Sequence, residues 1–260
     1  MRHLVGTHDV LWITLDTLRH DVAVDQWHRG GTPFLRELLP AGWEERHTPG
    51  SFTFAAHSAF FAGFLPTPAR PGPHVRPFAL AFHGSETTGP DTAVFDAPDV
   101  PAGLRAAGYH TACIGGTGFF NQQTPLGRVL PGLFDEAHWS PSLGVGDPRS
   151  TEHQVDLALG VLGRHPRAFV FVNVSAIHQP NQHYLPGAST DSVDTHAAAL
   201  RYVDGQLARL FHGLPRPAAW VLTSDHGTCY GEDGYHGHRL GHPVVWTVPY
   251  AEGVWTPPGR

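Results

Sequence analysis

Carboxylates and imidazoles crowd the segment VLTSDHGTCYGEDGYHGH (221–238), where an apolar run ends in Asp225-His226. Asp16 ends a similar run, DVLWITLD (9–16), and a third run, AFVFVNVS (168–175), is followed closely by His178. If these runs are neighbouring parallel strands, their carboxyl ends share one edge, and open α/β sheets bind ligands at that edge. Asp16, Asp225 and His226 could then hold one cation. A mixed oxygen and nitrogen set suits Mn²⁺, Zn²⁺ or Fe²⁺ better than Ca²⁺. Taken singly, Asp16 would serve as a turn or helix-cap carboxylate and His226 as a satisfied loop histidine. The shared edge is what favours a metal site.

Four apolar runs read as buried strands: 9–16, 109–116, 168–175 and 218–225. They are short, continuous and rich in β-branched or aromatic residues, as expected when helices cover both faces of a parallel sheet. Between them, 32–40, 58–64, 101–108, 150–165 and 194–214 carry apolar residues at helical spacing. The last places Leu200, Val203, Leu207 and Leu210 on one face. The alternation predicts an α/β fold, a doubly wound, mostly parallel sheet with helices on both faces. The expectation is one domain over 1–260, with 244–255 closing the sheet. Regions 65–100 and 117–149, rich in Pro and Gly, read as lids or specificity loops.

Composition narrows the function classes. The 260 residues are 41% hydrophobic and 15% charged, a globular balance with a formal charge of -6. The negative charge and the lack of an Arg-rich run argue against a nucleic-acid partner. No Lys occurs, so a P-loop lysine, a Schiff base and a lysine base are excluded. Cys113 and Cys229 form no paired motif and read as ordinary thiols. Of the 20 His, most read as polar loop residues. The run Val10 to Leu15 is too short for a signal or a membrane span, so the expectation is a cytoplasmic protein with small-molecule partners and no membrane partner.

Four ordered blocks, ITLDTLRHD (13–21), SFTFAAHSAFFAGFLP (51–66), IHQP (177–180) and the 221–238 segment, resemble the landmarks of the alkaline phosphatase superfamily, specifically its sulfatase-like branch. The resemblance spans nearly the whole chain and implies an alkaline-phosphatase-like core without a C-terminal subdomain. It implies that Asp16 binds metal, although Thr17 stands where many members carry a second Asp. Thr53 lies ten residues before Gly63 of AGFLP, the family spacing of the nucleophile, and its alkoxide would also bind the metal. Thr53 before FAAHSAFF would equally suit a helix N-cap. The Cys or Ser that true sulfatases oxidise is missing, so the resemblance points to phosphate chemistry.

His57, one helical turn from Thr53, is expected to contact the phosphoryl group or orient the nucleophile, or else to be a packing histidine. His178 matches the family's His-x-Pro, and His238 falls where sulfatases carry a Lys. As imidazolium, either could stabilise an anion or protonate a leaving alkoxide. His236 and His242 are alternates. One Mn²⁺ or Zn²⁺ is expected, with a second site conceivable from His183, Asp191 or Asp194 with His238 and His242. Glu232, Asp233 and Asp204 read as structural, and Asp21 as a cap of the turn after the first strand.

The implied reaction is metal-dependent hydrolysis of a phosphomonoester, phosphodiester or phosphonate ester through a phosphothreonine intermediate. A phosphoryl or phospho-alcohol transferase or mutase shares its first half-reaction. A non-catalytic, metal-dependent binding module is the third reading, and would keep ligand binding after Thr53→Ala.

Overall fold

A computed structural model describes residues 2–63, 78–79, 93–94 and 99–257. In chain order the strands are β1 (Asp9–Leu15), β2 (Glu44–His47), β3 (Phe78–Ala79), β4 (Ala93–Val94), β5 (His110–Ile114), β6 (Glu136–His138), β7 (Ala168–Val174), β8 (Ala218–Thr223), β9 (Cys229–Tyr230), β10 (His236–Gly237) and β11 (Thr247–Trp255). The helices are α1 (His20–Arg29), α2 (Pro33–Leu38), α3 (Thr53–Ala62), α4 (Val100–Ala106), α5 (Ser150–Arg164), α6 (Val193–His212) and α7 (Pro243–Trp246).

Seven strands form the main sheet in the order β2-β11-β8-β1-β7-β5-β6. The five from β8 to β6 are parallel, and β11 runs antiparallel to both β8 and β2. This is the doubly wound α/β sheet expected from the alternating pattern. All four predicted strands are present at its centre, and β11 lies within the predicted closing segment.

Alternation along the strands builds two cores, because successive side chains point to opposite faces. Leu11, Ile13 and Leu15 of β1 and Val170, Val172 and Val174 of β7 pack against α1, α2, α5 and α6. Phe169 and Phe171 of β7 point the other way, into a cluster with Phe61 of α3, Phe120 and Phe134. Each such ring, fully buried, contributes roughly 1.5–3 kcal/mol. Both faces being covered, every residue of β7 is buried.

The helix ends follow from local chemistry. Ser192 and Thr195 form a reciprocal capping box that starts α6. Asp204, on the buried side of α6, accepts hydrogen bonds from Phe34 N–H (3.2 Å) and Leu35 N–H (2.8 Å), so one helix caps the next.

Some boundaries differ from expectation. Helix α3 begins at Thr53 rather than at 58, because Phe52 is extended and already occupies the N-cap position. Helix α1 follows β1 almost at once, and Asp21 lies in its first turn, paired with Arg19 at 2.6 Å, rather than capping a turn. Region 117–149 folds into short 3-10 turns and β6. The lid expected in 65–100 lies almost wholly outside the described residues. Among the described residues, no helix is long and apolar enough to cross a membrane.

Candidate active site

Asp16 follows directly on β1, where its N–H bonds to the Val174 carbonyl at 3.1 Å. Its Oδ2 accepts from Asn173 Nδ2 at 2.9 Å, whereas Oδ1 is buried with no partner. Asp225 sits just past β8. Its Oδ1 accepts from the backbone of Thr17 and of His226, each at 3.1 Å, and its Oδ2 is buried and unpartnered. Thr17 reaches that carboxylate through a left-handed φ of 64°, rare for a β-branched residue and a local strain at the strand end.

His226 Nδ1 lies 2.9 Å from the Gly227 carbonyl, which can only accept. Nδ1 therefore carries the proton, and the lone pair of Nε2 is free. That lone pair is 3.4 Å from Asp225 Oδ2 and 3.4 Å from Thr53 Oγ1. Burial raises both carboxyls above the usual carboxylate range, and the nearby Asp225 charge raises Asp16 further. The ligand atoms of Asp16, Asp225 and His226 all lie within 4.8 Å of one another. Two wholly buried carboxylates, each with an unpartnered oxygen, and an imidazole lone pair beside them fit a divalent cation.

Thr53 is buried at the first helical position of α3, and its hydroxyl makes no capping bond. The hydroxyl is left to His226. What holds the helix start here is Gly50: a Cβ there would lie 2.5 Å from Ala56 N and 2.9 Å from the Ala55 carbonyl carbon. Only glycine lets the loop lie so close to the first turn.

His57 does not face the groove. Its Nδ1 is 2.7 Å from the Thr53 carbonyl and must donate to it. The ring is fully buried among Phe60, Phe61, Phe120 and Phe171, with Nδ1 3.7 Å from Asp225 Oδ2. Burial pushes its pKa down to about 3. His57 does lie one helical turn from Thr53, as expected, but the aromatic core takes up its ring. It can position the first turn of α3 without touching a substrate.

A groove of about 610 Å³ opens beside Thr53 and is lined by His178, His238, Arg239, Phe119, Leu126 and Trp139, among others. Much of its wall comes from 117–146, within the irregular region expected to set specificity. His178 holds its Nδ1 on the Gln179 carbonyl at 2.5 Å, leaving Nε2 free. The His238 ring lies 4.5 Å from that of His226 and 5.5 Å from that of His178. Burial, then the two neighbouring imidazoles, push His238 down to about 3, so without an anion beside it the ring is neutral rather than the imidazolium envisaged.

The conceivable second site is not assembled among the described residues. Asp191 accepts from the backbone of Asn181 and Gln182, and His242 caps α7 and pairs with Asp233 at 3.2 Å. His236 is exposed on β10. Glu232 pairs with Arg19.

Two residues at the site escaped the sequence reading. Asn173 fixes Asp16, and its signal was an amide inside the otherwise apolar AFVFVNVS. Arg239 brings a guanidinium to the groove, seated over the Phe52 ring at 5.7 Å. Its signal was its place directly after His-Gly-His.

A family model described as Sulfatase matches residues 8–250. The chain belongs to the sulfatase family. This sulfatase-family chain also resembles solved structures, at identities where the likeness speaks of fold. The soluble domain of lipooligosaccharide phosphoethanolamine transferase A from Neisseria meningitidis superposes with a TM-score of 0.66 and 15% identity, over 96% of this chain and 76% of that one. The C-terminal periplasmic domain of EcEptC from Escherichia coli, in complex with Zn, gives 0.63 and 16%, over 96% and 73%. Lipoteichoic acid synthase LtaP from Listeria monocytogenes gives 0.60 and 14%, over 99% and 67%. No curated protein matches the sequence. Fold and family thus place the chain in the alkaline phosphatase superfamily, as its four sequence blocks implied.

Proposed function

We propose that this chain transfers a phosphoryl or phospho-alcohol group from an ester donor to an acceptor alcohol, through a covalent intermediate on Thr53. The observation that carries the reading is that Thr53 lines the groove with its hydroxyl 3.4 Å from Nε2 of His226, whose ring stands beside the buried, unpartnered oxygens of Asp16 and Asp225.

Asp16, Asp225, His226 and the Thr53 hydroxyl would hold a divalent ion of the Zn²⁺ or Mn²⁺ class, whose charge favours the Thr53 alkoxide and polarises the phosphoryl oxygen. Thr53 Oγ1 attacks phosphorus, a new O–P bond forms, and the bond to the leaving oxygen breaks. The proton leaves Thr53 and reaches the leaving alkoxide, with His178 Nε2 and His238 as the carriers in the groove. Arg239 balances the charge of the anion. The acceptor alcohol's oxygen then attacks the phosphothreonine, the bond from phosphorus to Oγ1 breaks, and the acceptor's proton passes through the same histidines to restore the Thr53 hydroxyl.

Transfer is preferred to hydrolysis because the resembling structures include phosphoethanolamine transferases from Campylobacter jejuni and Neisseria meningitidis and a lipoteichoic acid synthase. Hydrolysis is the second reading, favoured by the match to the sulfatase model, and differs only in that water takes the acceptor's place. Sulfate-ester cleavage by an oxidised Cys or Ser is not proposed, since Thr53 stands at that position.

The test is nitrophenol release from a phosphomonoester, a phosphodiester, a phosphonate ester and a sulfate ester, in Zn²⁺ or Mn²⁺, with and without an acceptor alcohol. Release that is lost in Thr53→Ala, with phosphate found on the Thr53 peptide of the parent, supports the reading. An alcohol adduct would mark transfer and free phosphate hydrolysis. Equal turnover by Thr53→Ala would reject the nucleophile.

A further inference from the structure

The two groove imidazoles come from different segments of the chain. His178 lies in the turn after β7, whereas His238 directly follows β10 of the small antiparallel β9-β10 hairpin. Buried polar groups that take no part in the metal set join these two segments to each other.

Asn181, wholly buried, is the hub. Its Nδ2 donates at 2.8 Å to the carbonyl of Ile177, the residue before His178, and at 3.0 Å to the hydroxyl of Tyr230 in β9. A carbonyl can only accept, so the first bond settles which way the amide faces, and both of its protons are spent. The amide oxygen accepts from the Thr195 hydroxyl at 2.6 Å, in the first turn of α6. The Tyr230 oxygen also lies 3.0 Å from His196 Nδ1, whose ring takes the Arg19 N–H on Nε2 at 3.3 Å. Thr228 adds a second strap between the segments, donating to Gln179 Oε1 at 3.3 Å. One amide and one phenol thus join the His178 turn, the hairpin and the start of α6, and through His196 the turn after Asp16. A buried network of this kind favours a single geometry, because breaking one member leaves the others without partners.

We propose that Asn181 and Tyr230 are positioning residues, whose hydrogen bond sets the spacing of His178 and His238, with ring centres 5.5 Å apart. The inference rests on the phosphoryl-transfer reading, in which these two imidazoles carry the proton. Neither Asn181 nor Tyr230 lines the groove, so each acts through the histidine that its own segment carries. Proton carriers must stand within hydrogen-bond reach of the reacting oxygens, so a small shift of either segment slows the chemical step more than it weakens binding.

Asn181→Ala tests it in the Zn²⁺-loaded protein, with Tyr230→Phe as the milder variant that removes one hydroxyl and Asp204→Ala as a variant that loses only a helix cap. Asn181→Ala and Tyr230→Phe should each lower kcat for nitrophenol release by about tenfold or more, with KM and zinc content as in the parent. The Asn181→Ala/His178→Ala double variant should be no slower than His178→Ala alone, since the amide acts through that ring. A second readout needs no turnover: diethylpyrocarbonate should modify His178 and His238 about threefold faster or more in Asn181→Ala than in the parent, mapped by peptide mass spectrometry, and at the parent rate in Asp204→Ala. Parent-like kcat in both variants, or a double variant slowed by the full factor of Asn181→Ala, would overturn the inference. If the parent releases no nitrophenol the transfer reading fails, and parent-rate modification of both histidines in Asn181→Ala then overturns the inference by itself.

Discussion

At the scale of single residues, the site is set by groups whose polar atoms are buried without a partner. Asp16 and Asp225 each have one such oxygen, and burial makes their charged forms costly. Replacing Asp225 by Asn keeps the Oδ1 acceptor for the two backbone donors and removes one buried charge. Metal-free Asp225→Asn should therefore be more stable than the metal-free parent by on the order of 1 kcal/mol, read by urea unfolding in chelator. The same variant should lose its metal response. Thr53→Ala should lower kcat by at least about 10³-fold while leaving the fold intact, since the hydroxyl bears on the site and caps nothing.

His196 shows how burial shapes acid stability. Its Nε2 accepts from Arg19 N–H at 3.3 Å, so the ring is neutral, with Nδ1 toward the Tyr230 hydroxyl at 3.0 Å. Burial, then the Arg19 charge, push its pKa from 6.5 to about 3. The unfolded chain takes up a proton near 6.5 that the folded chain refuses. Stability is thus full above that pH and falls as pH drops toward 3, by about 1.4 kcal/mol per pH unit for each such histidine. His196→Gln should flatten this acid slope in a series of urea titrations.

At the scale of elements, how far the sequence could be read depended on what each segment buries. Strands β1, β5, β7 and β8 are buried on both faces and stand out as apolar runs, and their terminal residues named Asp16, Asp225, His226 and His178. Strands β2 and β6, EERH and EAH, lie at the sheet edges and carry no apolar alternation to read. Helix α1 escaped notice because HDVAVDQWHR is polar in most positions and starts without a side-chain cap. For His57, helical spacing could say which side chain it neighbours, but which way that face turned depended on Phe61, Phe120 and Phe171 meeting in space.

The start of α3 gives a prediction at this scale. Because a Cβ at position 50 would collide with the backbone of Ala55 and Ala56, Gly50→Ala must displace the first turn that bears Thr53. The expected cost is about 1–3 kcal/mol in stability, with a larger fractional loss in kcat than in metal affinity. Asp204→Ala should be a purely structural counterpart. It removes the cap of α2 at a cost of about 1–2 kcal/mol and leaves kcat per folded molecule unchanged.

At the scale of the whole molecule, the sheet brings together residues far apart in the chain: Asp16 from one end and Asp225 from the other, joined by the Thr17 N–H. An unfolded chain cannot hold Asp16, Asp225 and His226 in one place, so an ion they bind stabilises only the folded state. At one hundred times its dissociation constant the gain is about 2.7 kcal/mol. For a chain of this size that amounts to a Tm increase of roughly 5–10 °C. Mn²⁺ is the ion to use, with scanning calorimetry as the readout. The shift should appear in the parent and vanish in Asp16→Asn. A shift that survived Asp16→Asn would mean that the ion binds somewhere other than the ends of β1 and β8.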